Sequence, residues 1–408
     1  MLSAERAAMK QRVGVLIDLG NSETRVRIKY RPLKGLEGIH EPVDTTFSMS
    51  NHYAGLVTSY VISPDYMNEN TTIFDIDGVR MAHGDLVERE FVGAYDFPSG
   101  KSDKSSEPIT RWTLNLIMIK VIHLLAAKWG IAPSEVDVAF DVYCLVPPDE
   151  HAYNKKAMTD LIKDIDEVIE LVPNGDEETY RRCEYPILCN SIFIAPEGIT
   201  AFFGARVNID GYKVTPNPDV EKYMKGYCLI IDIGAGTTDL AIMQDGMLKA
   251  DSRQSIPDAG NHIISALQRN IKSIPSLRGR LHMGIKNVES VMKYARISEA
   301  DGLIEADCIP QLNDAKEEVA RELANTIRNY ANGNSVMSMV KGIFVVGGAN
   351  TAAVRDNTVV SPALAEFLVP KIKVFADLAE LVEIKGRDPR YLNLDGLEAM
   401  YLTALAKK

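Results

Sequence analysis

Two aspartates occupy matching places in two stretches of the chain. In "VLIDLGNSETRVRI" (residues 15–28), Asp18 closes an apolar run and is followed by Gly20, Asn21 and Ser22. In "LIIDIGAGTTDLAI" (229–242), Asp232 does the same before Gly234, Ala235, Gly236, Thr237 and Thr238. Superposed, Asp18 falls on Asp232, Gly20 on Gly234, Thr24 on Thr238 and Ile28 on Ile242. A tight turn after a strand aims successive backbone N–H groups at one point, and glycine lets a phosphate approach them closely. Ser22, Thr237 and Thr238 add hydroxyl donors. A carboxylate beside a triphosphate repels it unless Mg2+ stands between them. Mg2+ takes oxygen ligands, one or two carboxylates among them, and keeps several waters. Asp18 and Asp232 are therefore candidate Mg2+ ligands, reached through water, and candidate catalytic residues. A third turn, Gly347-Gly348 followed by Ala349, would admit a flat base or ribose where a Cβ would clash. One Asp-x-Gly turn between strands is ordinary hairpin chemistry. The second copy in the same order, with Val-Gly-Gly later in the chain, points to a nucleotide.

The turns need strands to hold them. Residues 13–19 read as a buried strand and "TRVRIKYR" as a half-exposed one, with Arg25, Arg27 and Lys29 on a solvated face. Residues 33–108 read as irregular. Within them, "SGKS" lacks the leading glycine of a phosphate-binding Walker loop, so 97–108 reads as an exposed loop. A helix is expected over 109–129, a strand over 136–146 stopped by Pro147-Pro148, and a charged helix over 151–171. A β stretch follows, then a short helix (198–206) and a polar boundary segment, 207–226. The second half repeats the opening: strands at 227–233 and 239–244, helices near 258–273, 286–297 and 312–332. A last strand runs through the Gly347-Gly348 pair into a helix, and the chain closes on a helical tail.

Composition excludes several classes. The chain has 408 residues, 46% hydrophobic and 25% charged, which suits a globular protein of roughly two to three domains. A net charge of −11 argues against direct grip on nucleic acid, which needs clustered Lys and Arg. The five cysteines (144, 183, 189, 228 and 308) fit no zinc spacing and read as reduced thiols. The N-terminal residues lack the apolar run of a signal peptide, and the 109–129 helix carries Arg111, Lys120, His123 and Lys128, which a membrane span would not. His123 reads as a packed histidine. A cytoplasmic protein with no membrane partner is expected.

The stretches around Asp18, Asp232 and Gly347 resemble the nucleotide signature of the actin-like ATPase superfamily: actins, seventy-kilodalton heat-shock chaperones and sugar kinases. "IAPEGITAFFGA" (194–205) and "YLNLDGLEAMYL" resemble its two connecting helices. Within the superfamily the chain is most similar to the bacterial plasmid-segregation actins of the ParM/StbA type. Two departures are Ala349, where a third glycine is usual, and 33–108, which aligns with nothing in the family. The resemblance implies an α/β, actin-like two-lobe fold of duplicated ribonuclease-H-like domains with a nucleotide cleft between the lobes. Lobe I would be 1–206 plus 390–408, with 33–108 a variable insertion, and lobe II would be 207–389. Hydrolysis would couple to a hinge between them.

The family orients its attacking water from a Pro-x-x-Glu type of turn, here "PPDE", which makes Glu150 the candidate, with Asp149 its rival. A carboxylate can orient the water and accept its proton, although the same acids also suit a helix N-terminus. Ribose and base contacts fall on Glu289 and Lys293, four apart on one helix face, a spacing that equally suits a surface ion pair. The cofactors implied are ATP, with GTP the alternative, and Mg2+. The function implied is a filament-forming ATPase that segregates plasmid DNA. Its partners would be further copies of itself, joined head to tail, and a DNA-binding adaptor. A phage or other bacterial cytoskeletal filament is the nearer alternative and a small-molecule phosphotransferase the more distant one, since no base for a sugar hydroxyl is visible. A chaperone would need a β-rich substrate domain, for which no sequence remains.

Overall fold

The computed structural model describes residues 11–20, 23–32, 40–56, 70–90, 104–106, 108–148, 151–173, 180–249, 251–257, 260–271, 273–274, 291–299, 304–333, 336–382, 384 and 387–406. The chain separates into two compact units: 1–146 with 150–196, and 147–149 with 197–408.

The first unit contains strands β1 (Gln11–Leu19), β2 (Glu23–Tyr30), β3 (Val43–Ser50), β4 (Tyr53–Gly55), β5 (Thr71–Ile76) and β6 (Val79–Gly84). Helices α1 (Asp85–Glu90) and α2 (Pro108–Trp129) follow, then β7 (Val138–Val146), α3 (His151–Lys163), β8 (Glu167–Pro173), β9 (Tyr180–Pro186) and β10 (Cys189–Pro196). Its central sheet has the order β10-β7-β1-β2-β3. β1 lies parallel to β7 and antiparallel to β2. Both β1 and β7 are near-continuous apolar runs, as strands covered on both faces must be. α2 is long and apolar enough to cross a membrane, but 72% of its apolar window is buried in this unit. Its Leu114, Ile117, Val121 and Leu125 belong to the same hydrophobic core as Val15 and Ile17 of β1 and Val142 and Cys144 of β7.

The second unit contains β11 (Val207–Asp210), β12 (Lys213–Pro216), β13 (Tyr227–Ile233), β14 (Thr238–Gln244), β15 (Met247–Leu248), β16 (Gln254–Ile256), β17 (Arg296–Glu299) and β18 (Ile304–Asp307). β19 (Val340–Val346), β20 (Ala353–Arg355), β21 (Thr358–Ser361) and β22 (Glu380–Leu381) follow. Its helices among the described residues are α4 (Ile199–Ala205), α5 (Pro218–Glu221), α6 (Gly260–Ile271), α7 (Ile309–Gly333), α8 (Leu364–Ile372) and α9 (Leu392–Ala406). β13 pairs antiparallel with β14 and parallel with β19, which pairs parallel with β22. This is the plan of the first unit over again: a hairpin of the first two strands, flanked on the other side by two parallel strands.

Alternation along β13 assigns its side chains to two layers. Leu229, Ile231 and Ile233 face the core made with α6, α7 and α8. Cys228 and Ile230 face Ile199 and Phe202 of α4. α4 and α9 cross at backbone contact, since a Cβ at Gly396 would overlap Thr200 O and one at Gly204 would lie 2.5 Å from Leu392 O.

Several expectations are corrected. Residues 43–55 and 71–84 are not irregular: β3 joins the central sheet, and β4, β5 and β6 form a five-stranded sheet with β8 and β9. The helix expected to 171 ends at Lys163, because 167–173 pairs with β9. Beyond Gly347-Gly348 the chain enters the β20–β21 hairpin instead of a helix, with Asp356 and Asn357 turning at positive φ. The basic face of β2 is not fully solvated: Lys29 is buried and paired with Asp44 at 2.5 Å. α4 and α9 pack on each other within the second unit. Cys144, Cys228 and Cys308 are buried, and none of the five cysteines is in a disulfide. His123 packs against Tyr185, its Nε2 lying 2.7 Å from the Glu170 carboxylate.

Candidate functional site

Asp232 follows Cys228 and Ile230 on the α4/α9 side of β13, which brings its carboxylate to the end of the sheet, 6% exposed. The Asn393 side-chain amide donates to Asp232 Oδ2 at 3.0 Å. The Gly198 amide, just ahead of α4, donates to Asn393 Oδ1 at 3.1 Å. Directly across the β13–β14 ladder from Asp232 stands Asp239, also buried, which accepts from the Ser255 hydroxyl.

The turn after Asp232 is closed by the Gly234 amide donating to Thr237 O at 2.9 Å. Its carbonyls are held by the first amides of α6: Gly260 N reaches Gly234 O at 3.0 Å and Asn261 N reaches Ala235 O at 2.9 Å. Ala235 and Thr237 are half-buried, while Gly236 and Thr238 are buried. The third turn arrives beside it because β19 lies parallel to β13, with Val346 opposite Asp232. Gly347 has φ +93°, and a Cβ there would overlap Asp232 Oδ1 and sit 2.5 Å from Ile233 O. Only glycine meets both conditions. Ala349 N donates to Ile233 O at 3.0 Å, and Gly260 lies against the Ala349 methyl. The turn 234–237, the start of α6 and the turn 347–349 therefore converge at the end of β13.

Two polar residues brace the third turn. Asn350 donates to Val345 O at 2.9 Å and accepts from the Ala365 amide, at the start of α8, at 2.8 Å. Lys316 of α7, fully buried, sends its ammonium to Thr351 O (3.1 Å), Ser361 Oγ (3.0 Å) and Pro362 O (2.6 Å). Burial lowers its pKa to about 8.

In the first unit, Asp18 is likewise buried at the end of β1, and Gly20 N donates to Asp18 O at 3.1 Å. Arg25, directly across the β1–β2 ladder, approaches Asp18 Oδ2 at 3.5 Å. Asn51 donates to Gly20 O at 2.6 Å and accepts from Thr24 Oγ1 at 2.8 Å. Lys104, 4% exposed, donates to Leu19 O at 2.5 Å. Within the segment expected as an exposed loop, Lys104 is buried against the first turn, Ser106 and Pro108 are exposed, and 97–103 and 107 lie outside the described residues.

Asn21, Ser22, Asp149, Glu150 and Glu289 lie outside the described residues. Pro148, two residues before Glu150, is held by Arg253, whose guanidinium donates to Pro148 O at 3.0 Å. Lys293 is exposed and lies over the Tyr294 ring at 5.1 Å. No contact among the described residues joins it to the turns. Asn393, Asn350, Lys316, Asn51 and Lys104 went unread in the sequence. Of these, Asn393 and Asn350 had a signal, as polar residues set into apolar runs.

A hairpin of the first two strands, a buried aspartate at the first turn and parallel strands beyond, built twice, is the architecture of the actin homologues, and this chain has that fold. Alp7A, an actin-like protein, superposes with a TM-score of 0.65 at 14% identity over 97% of each chain. The archaeal actin homologue Ta0583 gives 0.61 at 15% identity, covering 96% of this chain and 99% of its own. Bacillus thuringiensis ParM with ATP gives 0.60 at 14% identity, covering 98% of this chain and all of its own. No protein-family model and no curated protein matches the sequence.

Proposed function

We propose that the chain is a nucleotide-dependent, filament-forming actin-like ATPase that drives plasmid DNA segregation. The observation that carries the reading is the duplicated turn. Asp18 and Asp232 end the first strand of two sheets of the same plan, each followed by a glycine turn whose carbonyls are held from outside. The Bacillus thuringiensis ParM neighbour is an ATP complex, which supports ATP as the nucleotide, with GTP the alternative.

Mg2+ fits the residues present. The acidic groups at the turns are oxygen donors, the ligand type Mg2+ takes, and Asp239 stands directly opposite Asp232 on the ladder. Asp18 and Asp232 would hold it through water, and bound Mg2+ supplies charge neutralisation between phosphate and carboxylate. Gly20, Asn21, Ser22 and the 234–238 turn bind phosphate through N–H and hydroxyl donors. Gly347, Gly348 and Ala349 take the base and ribose, with Glu289 and Lys293. Glu150 orients the attacking water and accepts its proton. Copies join head to tail in the cytoplasm without a membrane. A net charge of −11 leaves DNA to an adaptor.

Light scattering and pelleting with and without Mg–ATP test the reading, with Glu150→Ala alongside. Polymer that forms with nucleotide, then decays, and decays more slowly in the variant is the expected result. ATP turnover without polymer would overturn the filament and redirect attention to a phosphate acceptor.

A further inference from the structure

We infer that Asn393 is a positioning residue for the Asp232 carboxylate, so that metal binding at the second turn depends on a side chain supplied by the C-terminal helix. The inference rests on the proposal that Asp232 holds Mg2+. Both side chains are buried, Asp232 at 6% and Asn393 at 8% exposure. The orientation of the Asn393 amide is fixed by its partners. Its oxygen accepts from Gly198 N at 3.1 Å, so its nitrogen is the atom turned toward Asp232 Oδ2, at 3.0 Å. A carboxylate anchored at one oxygen loses rotation about its own bond. The other oxygen, Oδ1, is thereby set against Gly347, where a Cβ would overlap it. Asn393 and the glycine turn thus fix the plane of the carboxylate from two sides.

The fold delivers Asn393 to this depth by a specific device. Gly396 lies one helical turn further along α9, on the same face. There α9 meets α4 so closely that a Cβ at Gly396 would overlap Thr200 O, and Leu392 O lies correspondingly close to Gly204. Larger residues at either glycine would lift α9 away and withdraw the amide. Groups that orient a metal-bound carboxylate typically change metal affinity by about 10–100-fold when removed.

The test is a Mg2+ titration of wild type and Asn393→Ala with a fluorescent, non-hydrolysable ATP analogue, followed by binding and with thermal melts in EDTA alongside. Asn393→Ser serves if the alanine variant fails to fold. The Mg2+ concentration for half-maximal binding should rise about tenfold or more, while the analogue's affinity at saturating Mg2+ stays within about threefold of wild type. A lowered melting temperature with an unchanged Mg2+ midpoint would overturn the inference and leave Asn393 a packing residue. Failure of the wild type to bind the analogue with Mg2+ would overturn the functional reading and this inference together.

Discussion

Arg25 stands directly opposite Asp18 in the β1–β2 ladder, and its guanidinium lies 3.5 Å from the Asp18 carboxylate. The residue opposite Asp232 is instead another acid, Asp239. The two hairpins share a strand plan and differ in the charge paired with the aspartate. The first carries a cation, which also pairs with Glu23 at 2.7 Å, whereas the second carries two buried carboxylates. A cation thus stands beside the first aspartate, and a second carboxylate stands across the ladder from the second.

Arg25→Gln removes that cation while keeping a polar side chain. Mg–ATP affinity should fall about tenfold, roughly the value of one charge-assisted hydrogen bond. The loss should shrink as salt rises. Calorimetric titration at two ionic strengths checks both, and an unchanged affinity would remove Arg25 from the site.

Gly347→Ala places a Cβ against Asp232 Oδ1 and Ile233 O at a residue with φ +93°. Backbone strain alone costs about 1–3 kcal/mol, and the overlap must displace the carboxylate. Nucleotide binding should be lost, with a fall in folding stability of at least ~1 kcal/mol measured by urea denaturation.

Gly396→Ala should separate α9 from α4. The expected cost is about 1–3 kcal/mol, the range for overpacking a tight core. Denaturant midpoints measure it, and a fully stable variant would contradict the backbone contact between these helices.

Lys316 makes stability depend on pH in a definite direction. Its pKa in the folded chain is lowered to about 8, whereas an unfolded lysine stays near 10.4. Between those values the unfolded chain binds more protons, so this group's contribution to stability rises with pH across the window. Denaturant melts of wild type and Lys316→Met at about pH 7.5 and pH 9.5 should show a positive slope in wild type that is absent in the variant.

The two glycine turns were legible because their residue types are dictated by backbone geometry, which sequence records directly. The duplication was legible for the same reason: Asp18 and Asp232 recur with the glycine and threonine at equal offsets. The strand at 167–173 was not, because "EVIELVP" offers apolar residues that suit either period, and pairing with β9 decided between them. The β20–β21 hairpin hid behind the alanines of "ANTAAV", although Asp356-Asn357 carried a turn signal. Lys104 and Asn51 reach the first turn from distant segments, and no local pattern encodes that. Asn393 sat within a stretch already matched to a connecting helix, but its contact with Asp232 depends on how closely two helices approach.

The proposed function stands on Mg–nucleotide binding that needs both Asp18 and Asp232. Calorimetric titration of ATP into the purified protein in Mg2+, repeated with Asp18→Ala and with Asp232→Ala, tests it most directly. The account predicts saturable one-to-one binding in wild type, weakened about 10–100-fold or more by either substitution. Absence of saturable binding by ATP or GTP, or binding indifferent to both aspartates, would contradict it.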